Sequence, residues 1–135
     1  MTSLGKNRDH LLSTIDQQLR QINHDIRGLI PIRVIQSGDG HTYPKSGQTV
    51  QVKYIGKLPN GSVFDRSPPN QPFTFQVDRN QVIKGWDHVV KQMSLGERVR
   101  VKIPPKLAYG SKGAGGGKIP PNTTLTFVMK LVSVR

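Results

Sequence analysis

From Pro31 onward the chain leaves a period of two in only one stretch, and that confines it to a narrow set of folds. Arg98-Val99-Arg100-Val101-Lys102-Ile103 alternates strictly between cationic and apolar residues and stops at Pro104-Pro105. This period of two belongs to a half-buried strand. The same alternation runs through residues 50–58 and 124–135, where Leu125, Phe127, Met129 and Leu131 share one face. Residues 32–36, 63–65 and 73–77 read as further strands. Between Val82 and Met93 the period lengthens, so that Val82, Ile83, Trp86, Val89, Val90 and Met93 fit one helical face with Gly96 beyond its end. Asn60-Gly61 predicts a hairpin, and Ser37-Gly38-Asp39-Gly40 and Pro68-Pro69-Asn70 predict turns. One short helix against several antiparallel strands is an α+β domain.

Residues 1–30 follow a different rule. Leu12, Ile15, Leu19, Ile22, Ile26 and Leu29 recur at intervals of 3, 4, 3, 4 and 3, a heptad seam on a helix expected from about Asp9 to Arg27. A lone helix of this length is marginal in water. Its stripe must pair with a second copy, dock on the domain or fold on a partner. A homodimer or partner contact through Leu12, Ile15, Leu19, Ile22 and Ile26 is the expectation. The chain therefore divides into an N-terminal helical arm, 1–30, and a single domain, 31–135.

Composition removes several classes of chemistry. The absence of cysteine excludes disulfides and thiolate metal sites. His10, His24, His41 and His88 show no ligand spacing, so neither a metal nor a cofactor is expected. No apolar run is long enough to span a bilayer, and Met1–Lys6 lacks the apolar core of a secretory signal. The expectation is a soluble protein of the cytoplasm, with the nucleus as the alternative. The formal net charge is +12, and residues 32–135 carry sixteen Lys or Arg against five acids. Such a field attracts anions. Along the sequence, however, the cations are scattered and no stripe of interleaved aromatic and basic residues appears, so a solvated surface is favoured over a nucleic-acid site. Gly110–Gly117 matches neither a Walker loop nor a dinucleotide fingerprint and reads as a flexible loop tip.

Trp86 is the only tryptophan, and it stands where the helical period begins. Aromatics reaching it from separate strands would form an apolar pocket with a Trp floor and few titratable groups. Such a pocket suits binding or twisting an apolar group and not acid–base chemistry. Taken alone, Trp86, Phe75 and Phe127 read more readily as plain core, and Asp65 is compatible with a turn cap and Tyr109 with a core ring.

Several ordered motifs decide between these readings: Val52-Lys53-Tyr54-Ile55-Gly56, Gly61-Ser62-Val63-Phe64-Asp65, Val82-Ile83-Lys84-Gly85-Trp86, Ala108-Tyr109-Gly110 and Ile119-Pro120-Pro121-Asn122. Through them the chain from about Ile32 to Arg135 resembles the FKBP family of peptidyl-prolyl cis-trans isomerases. The resemblance implies an antiparallel half-barrel sheet wrapped around the short helix. It implies a catalytic set of Tyr54, Phe64, Asp65, Trp86, Tyr109 and Phe127. Phe73 at the rim, with Phe75, Gln81, Val82, Ile83 and Ile119, would complete the ligand-binding surface. It also implies that the Ile83 backbone N–H and the Tyr109 hydroxyl donate to substrate carbonyls, that proline-containing proteins are the clients, and that macrolide immunosuppressants occupy the same pocket. The chain departs from many relatives at Gln81, where they carry an acid, at Pro68-Pro69, where they carry a basic stretch, and at Ala114 and Lys118 in the glycine-rich loop.

Overall fold

The computed structural model describes residues 30–135; the heptad seam of residues 12–29 and the dimer contact expected from it lie outside the described residues. Six strands form one antiparallel sheet: β1 (Ile32–Gln36), β2 (Thr49–Lys57), β3 (Val63–Arg66), β4 (Phe73–Gln76), β5 (Arg98–Ile103) and β6 (Leu125–Val134). Among the described residues a single α-helix, α1 (Lys84–Val90), packs on its inner face. The sheet runs β1-β5-β6-β2-β3, with β4 also paired to β2. This is the open antiparallel sheet with one helix that the alternation predicts.

The free edge of β2 is shared. Its first half, Thr49 to Val52, pairs with β4, and its last residues, Ile55 to Lys57, pair with β3. Between them the chain steps out of the sheet, because Pro68 and Pro69 have no N–H to give a ladder. Ser67 anchors this excursion: its amide donates to the Tyr54 carbonyl at 3.0 Å, and its hydroxyl accepts the Tyr54 amide at 3.0 Å.

Alternation places every second residue inward. Val50 and Val52 of β2, Val99, Val101 and Ile103 of β5, and Leu125, Met129 and Leu131 of β6 are completely buried. Trp86, Val89 and Val90 of α1, followed by Met93, close the core from the other side. Each such side chain contributes about 1.5–3 kcal/mol by leaving water.

The helix is shorter than its periodic face. Ile83 is extended (φ −60°, ψ 147°) and caps the helix, so Val82 and Ile83 precede it. Past Val90, the amides of Gln92 and Met93 bond back three residues to Val89 and Val90 at 3.0 and 3.1 Å. That tighter turn still delivers the Met93 side chain to the core, which is why the apolar period outruns the α-helix.

Two loops differ in detail from their sequence signals. The Asn60-Gly61 hairpin closes as a three-residue loop: Gly61 N–H bonds the Leu58 carbonyl at 2.8 Å and Leu58 N–H bonds Ser62 at 2.9 Å. Only Gly61 takes a positive φ (88°), so the turn is not the two-residue primed type. The glycine-rich stretch, expected to be a flexible tip, builds a bonded double turn in which Ala114 and Ile119 exchange both backbone bonds at 3.0 Å. Gly113 has φ 67°, and a Cβ there would lie 2.2 Å from the Ile119 carbonyl oxygen.

Gly85 lets α1 sit directly on β5. A Cβ at this position would lie 2.5 Å from Ile103 Cγ2 and 3.1 Å from the Leu107 carbonyl oxygen. Gly85→Ala is therefore expected to destabilise the fold by about 1–3 kcal/mol, the usual cost of overpacking. Urea unfolding should show a lower midpoint with an unchanged slope, and an unmoved midpoint would refute the close approach.

Asp39 closes the loop before β2. It accepts the His41 and Thr42 amides at 2.9 Å each and the Thr42 hydroxyl at 2.7 Å. The Thr42 and His41 amides foremost, with the Thr42 hydroxyl, hold its pKa down from 3.8 to about 2. A depressed carboxylate stabilises the fold above its unfolded pKa and ceases to do so as pH falls through its folded pKa. Asp39→Asn should be less stable than the parent at neutral pH, with the gap closing between about pH 4 and pH 2. A gap that does not change with pH would contradict this assignment.

Candidate active site

The site begins with Trp86 in the first turn of α1. Its indole is met edge-on by Tyr54 of β2 (centroids 4.8 Å apart, planes at 72°), Phe127 of β6 (5.4 Å, 83°) and Phe73 of β4 (5.9 Å, 77°). Phe64 of β3 stands edge-on to Phe127 at 5.6 Å. Edge contacts of this kind are each worth about 0.5–1.5 kcal/mol beyond area burial. Local sequence makes the cluster feasible. A Cβ on Gly56 would come within 2.7–2.8 Å of the Phe64 and Phe127 rings, so only glycine lets both rings cross β2.

Over this cluster lies a cavity of about 180 Å³. Trp86 is 5 % exposed, and the exposed sliver contributes to the cavity wall. Tyr54, Phe127, Phe64 and Phe73 contribute from the strands, and Gln81, Val82 and Ile83 from the segment leading into α1. Asp65 and Tyr109 complete the lining. Ten of the twelve site residues expected from the sequence thus converge. The other two do not reach the wall. Phe75 is buried, packed against Trp86 at 5.8 Å and against Phe73 at 5.9 Å, and so backs the lining. Ile119 is buried and held by its backbone pairing with Ala114 in the glycine-rich turn.

The polar groups are few. The Tyr54 hydroxyl donates to Asp65 Oδ2 at 2.8 Å, and Asp65 Oδ1 accepts the Arg66 amide at 2.8 Å. Burial first, then the bond to Asp65, pushes the Tyr54 phenol well above the ordinary tyrosine range. Burial, with a smaller contribution from the Asp65 charge, raises Tyr109 as well. Both phenols therefore stay protonated donors across the neutral range. The Tyr109 hydroxyl and the Ile83 N–H have no hydrogen-bond partner among the described residues. The Gln81 side chain turns back to β4, accepting the Gln76 amide at 2.8 Å, so it steadies the approach to α1.

Sequence reasoning did not single out one supporting group, Asp87. It is buried in the first turn of α1 and accepts the Asp78 amide at 2.9 Å. Burial pushes its carboxyl up despite that bond. Asp78, with φ 57°, in turn bonds Ser46 and pairs with Lys91 Nζ at 2.9 Å. Together these contacts hold the loop between β4 and α1 against the helix that carries Trp86. An acid in a first helical turn is a common dipole signal, and nothing in its spacing announces burial. Among the described residues, no three His, Asp or Glu side chains gather as a metal site would require. Asp65 is the only carboxylate on the cavity wall.

Known proteins share this fold. A solved peptidyl-prolyl cis-trans isomerase from Pseudomonas syringae pv. tomato superimposes with a TM-score of 0.70 at 37 % identity, covering 78 % of this chain and 74 % of that one. The peptidyl-prolyl cis-trans isomerase FKBP1A of Xenopus laevis is 49 % identical over 104 residues, 76 % of this chain and 95 % of that protein. FK506-binding protein 1 of Rhizopus delemar is 45 % identical over 106 residues, 78 % of this chain and 97 % of that protein. The family model for FKBP-type peptidyl-prolyl cis-trans isomerases matches residues 40–132. With that match spread over the strands and helix that build the Trp86 cavity, the chain belongs to the FKBP-type peptidyl-prolyl cis-trans isomerase family.

Proposed function

We propose that the chain accelerates rotation about X–Pro bonds by seating the prolyl ring over Trp86 and holding the amide half-turned. The barrier of about 18–20 kcal/mol is maintained by amide resonance, which places charge on the carbonyl oxygen. Water favours that polar planar state. A dry aromatic cavity withdraws this preference, and a wall shaped to the twisted form adds differential binding. Lowering the barrier by about 6–8 kcal/mol corresponds to roughly 10⁴- to 10⁶-fold acceleration. No nucleophile is required, because no covalent bond is broken. The observation that carries the reading is a cavity walled by Trp86 and five other aromatic residues with a single carboxylate beside it.

The two unpartnered donors supply orientation. The Ile83 N–H and the Tyr109 hydroxyl would bond carbonyls on either side of the prolyl ring, and the Tyr54–Asp65 bond would hold the rim in shape. The same pair of donors over an apolar floor would take a macrolide of the FK506 type. The name of the Rhizopus delemar relative supports that extension.

Trp86→Leu should lower kcat/KM by at least about tenfold in a protease-free isomerisation assay, matching the loss of roughly 1.4 kcal/mol of transition-state stabilisation. An undiminished rate in a folded Trp86→Leu protein would remove the cavity from the mechanism. Tyr109→Phe deletes one donor worth about 1 kcal/mol and should lower kcat/KM about fivefold.

The raised phenols set the pH response. A group with a raised folded pKa favours its protonated form in the fold, so its stabilising effect is complete below the unfolded value and lost at higher pH. Activity should show no phenol-dependent change up to about pH 10 and decline only above it. A tyrosine-dependent fall near neutrality, abolished in Tyr54→Phe or Tyr109→Phe, would contradict the assignment.

A further inference from the structure

The outer face of the sheet carries an array of cations in three adjacent rows. Register places Lys53 of β2 opposite Lys130 of β6, and Lys130 opposite Arg98 of β5, in one row across three strands. The next row carries Arg66 of β3 opposite Ile55, then Val128, then Arg100 of β5 opposite Arg33 of β1. A third row carries Lys57 and Lys102 on either side of Thr126. Rows lie roughly 7 Å apart along the strands and neighbours about 4.8 Å apart across them. Lys130 is half-buried and the other cations are exposed.

Nothing among the described residues neutralises this face. All five acids of the domain are engaged elsewhere. Asp39 closes its own loop, Asp65 holds Tyr54 on the inner face, and Asp87 accepts the Asp78 amide. Asp78 pairs with Lys91, the only ion pair among the described residues, and Glu97 accepts the Ser94 amide at 3.1 Å. Like charges directly opposite one another across strands are destabilising, so the array is maintained at a cost to the fold. A groove of about 360 Å³ indents it where residues 67–70 stand beside β2, with Lys53, Arg66, Arg98 and Lys130 on its walls.

We propose that this face binds the phosphate backbone of double-stranded nucleic acid without reading its sequence. The charge is spread in two dimensions over five strands, which suits two phosphate chains better than one. Single-strand sites need rings on which bases stack. Here Tyr54, Phe64, Phe73 and Phe127 all turn inward to the Trp86 cavity. With no aromatic or acidic group among the paired outer-face residues, the contacts are of the phosphate-positioning kind. The face lies on the opposite side of the sheet from the cavity, so the isomerase site stays open while the backbone is held.

The test measures binding of the full-length chain to a labelled duplex of about 20 base pairs as salt rises from about 50 to about 200 mM. Four to eight phosphate contacts predict a fall in affinity of about 10²- to 10⁴-fold over that range. Arg98→Gln with Lys130→Gln should reduce the slope of log affinity against log salt by about two. Lys45→Gln with Lys112→Gln, an equal charge change off the face, should leave it nearly unchanged. Lys53→Gln with Lys102→Gln is a second pair on the face should the first fold poorly, and unaltered prolyl isomerisation certifies either as folded. The proposal is overturned by absence of duplex binding at low salt, by equal slopes for on-face and off-face pairs, or by capture on phosphatidylserine vesicles without capture of the duplex.

Discussion

Trp86 can support a cavity only because two glycines remove side chains from places where nothing else would fit. Gly85 brings the first turn of α1 down onto Ile103, which sets the height of the indole above the sheet. Gly56 opens the space in which Phe64 and Phe127 cross β2. With helix and rings at these positions, Tyr54, Phe73 and Phe127 can all meet the indole by their edges. Close packing at native density transmits any added methyl to its neighbours. The cavity is thus the space left by a packed core and not a cleft between loosely joined parts.

The sheet has two chemically opposite faces, and strand alternation creates both at once. Inward positions are aliphatic toward β5 and aromatic toward β3 and β4, so core and pocket merge without a boundary. Outward positions of the same strands carry eight cations, with Ile55, Thr126 and Val128 interspersed among them. Asp65 is the single acid in the strands, and it turns inward to bond Tyr54. Aromatic cavity and cationic surface are therefore separated by the thickness of one sheet.

Much of this was legible in advance because its causes are local. Strict alternation identified β5 at its full extent, and the motif around Trp86 located the helix that carries the site. Motif resemblance gathered ten of the residues that line the cavity. Phe75 and Ile119 were harder to place. Phe75 shares its strand face with Phe73, yet depth within the sheet separates a residue that faces the cavity from one that supports it. Ile119 belongs to the same apolar motif as its neighbours, and its backbone pairing with Ala114 directs it into the core. Asp87 gave no signal, since its burial depends on the Asp78 amide reaching it from another turn.

The cations illustrate the same limit. Along the chain they are scattered and suggest only a solvated surface. Cross-strand register brings Lys53, Lys130 and Arg98 side by side from three strands. Sequence by itself determined the period of each element, its inward face and the residue types available to an aromatic pocket, because these follow from backbone geometry and the cost of burying polar groups. Tertiary structure alone decided which of those side chains meet. Proximity between strands is set by register and glycine-permitted approach, and neither is a property of any single segment.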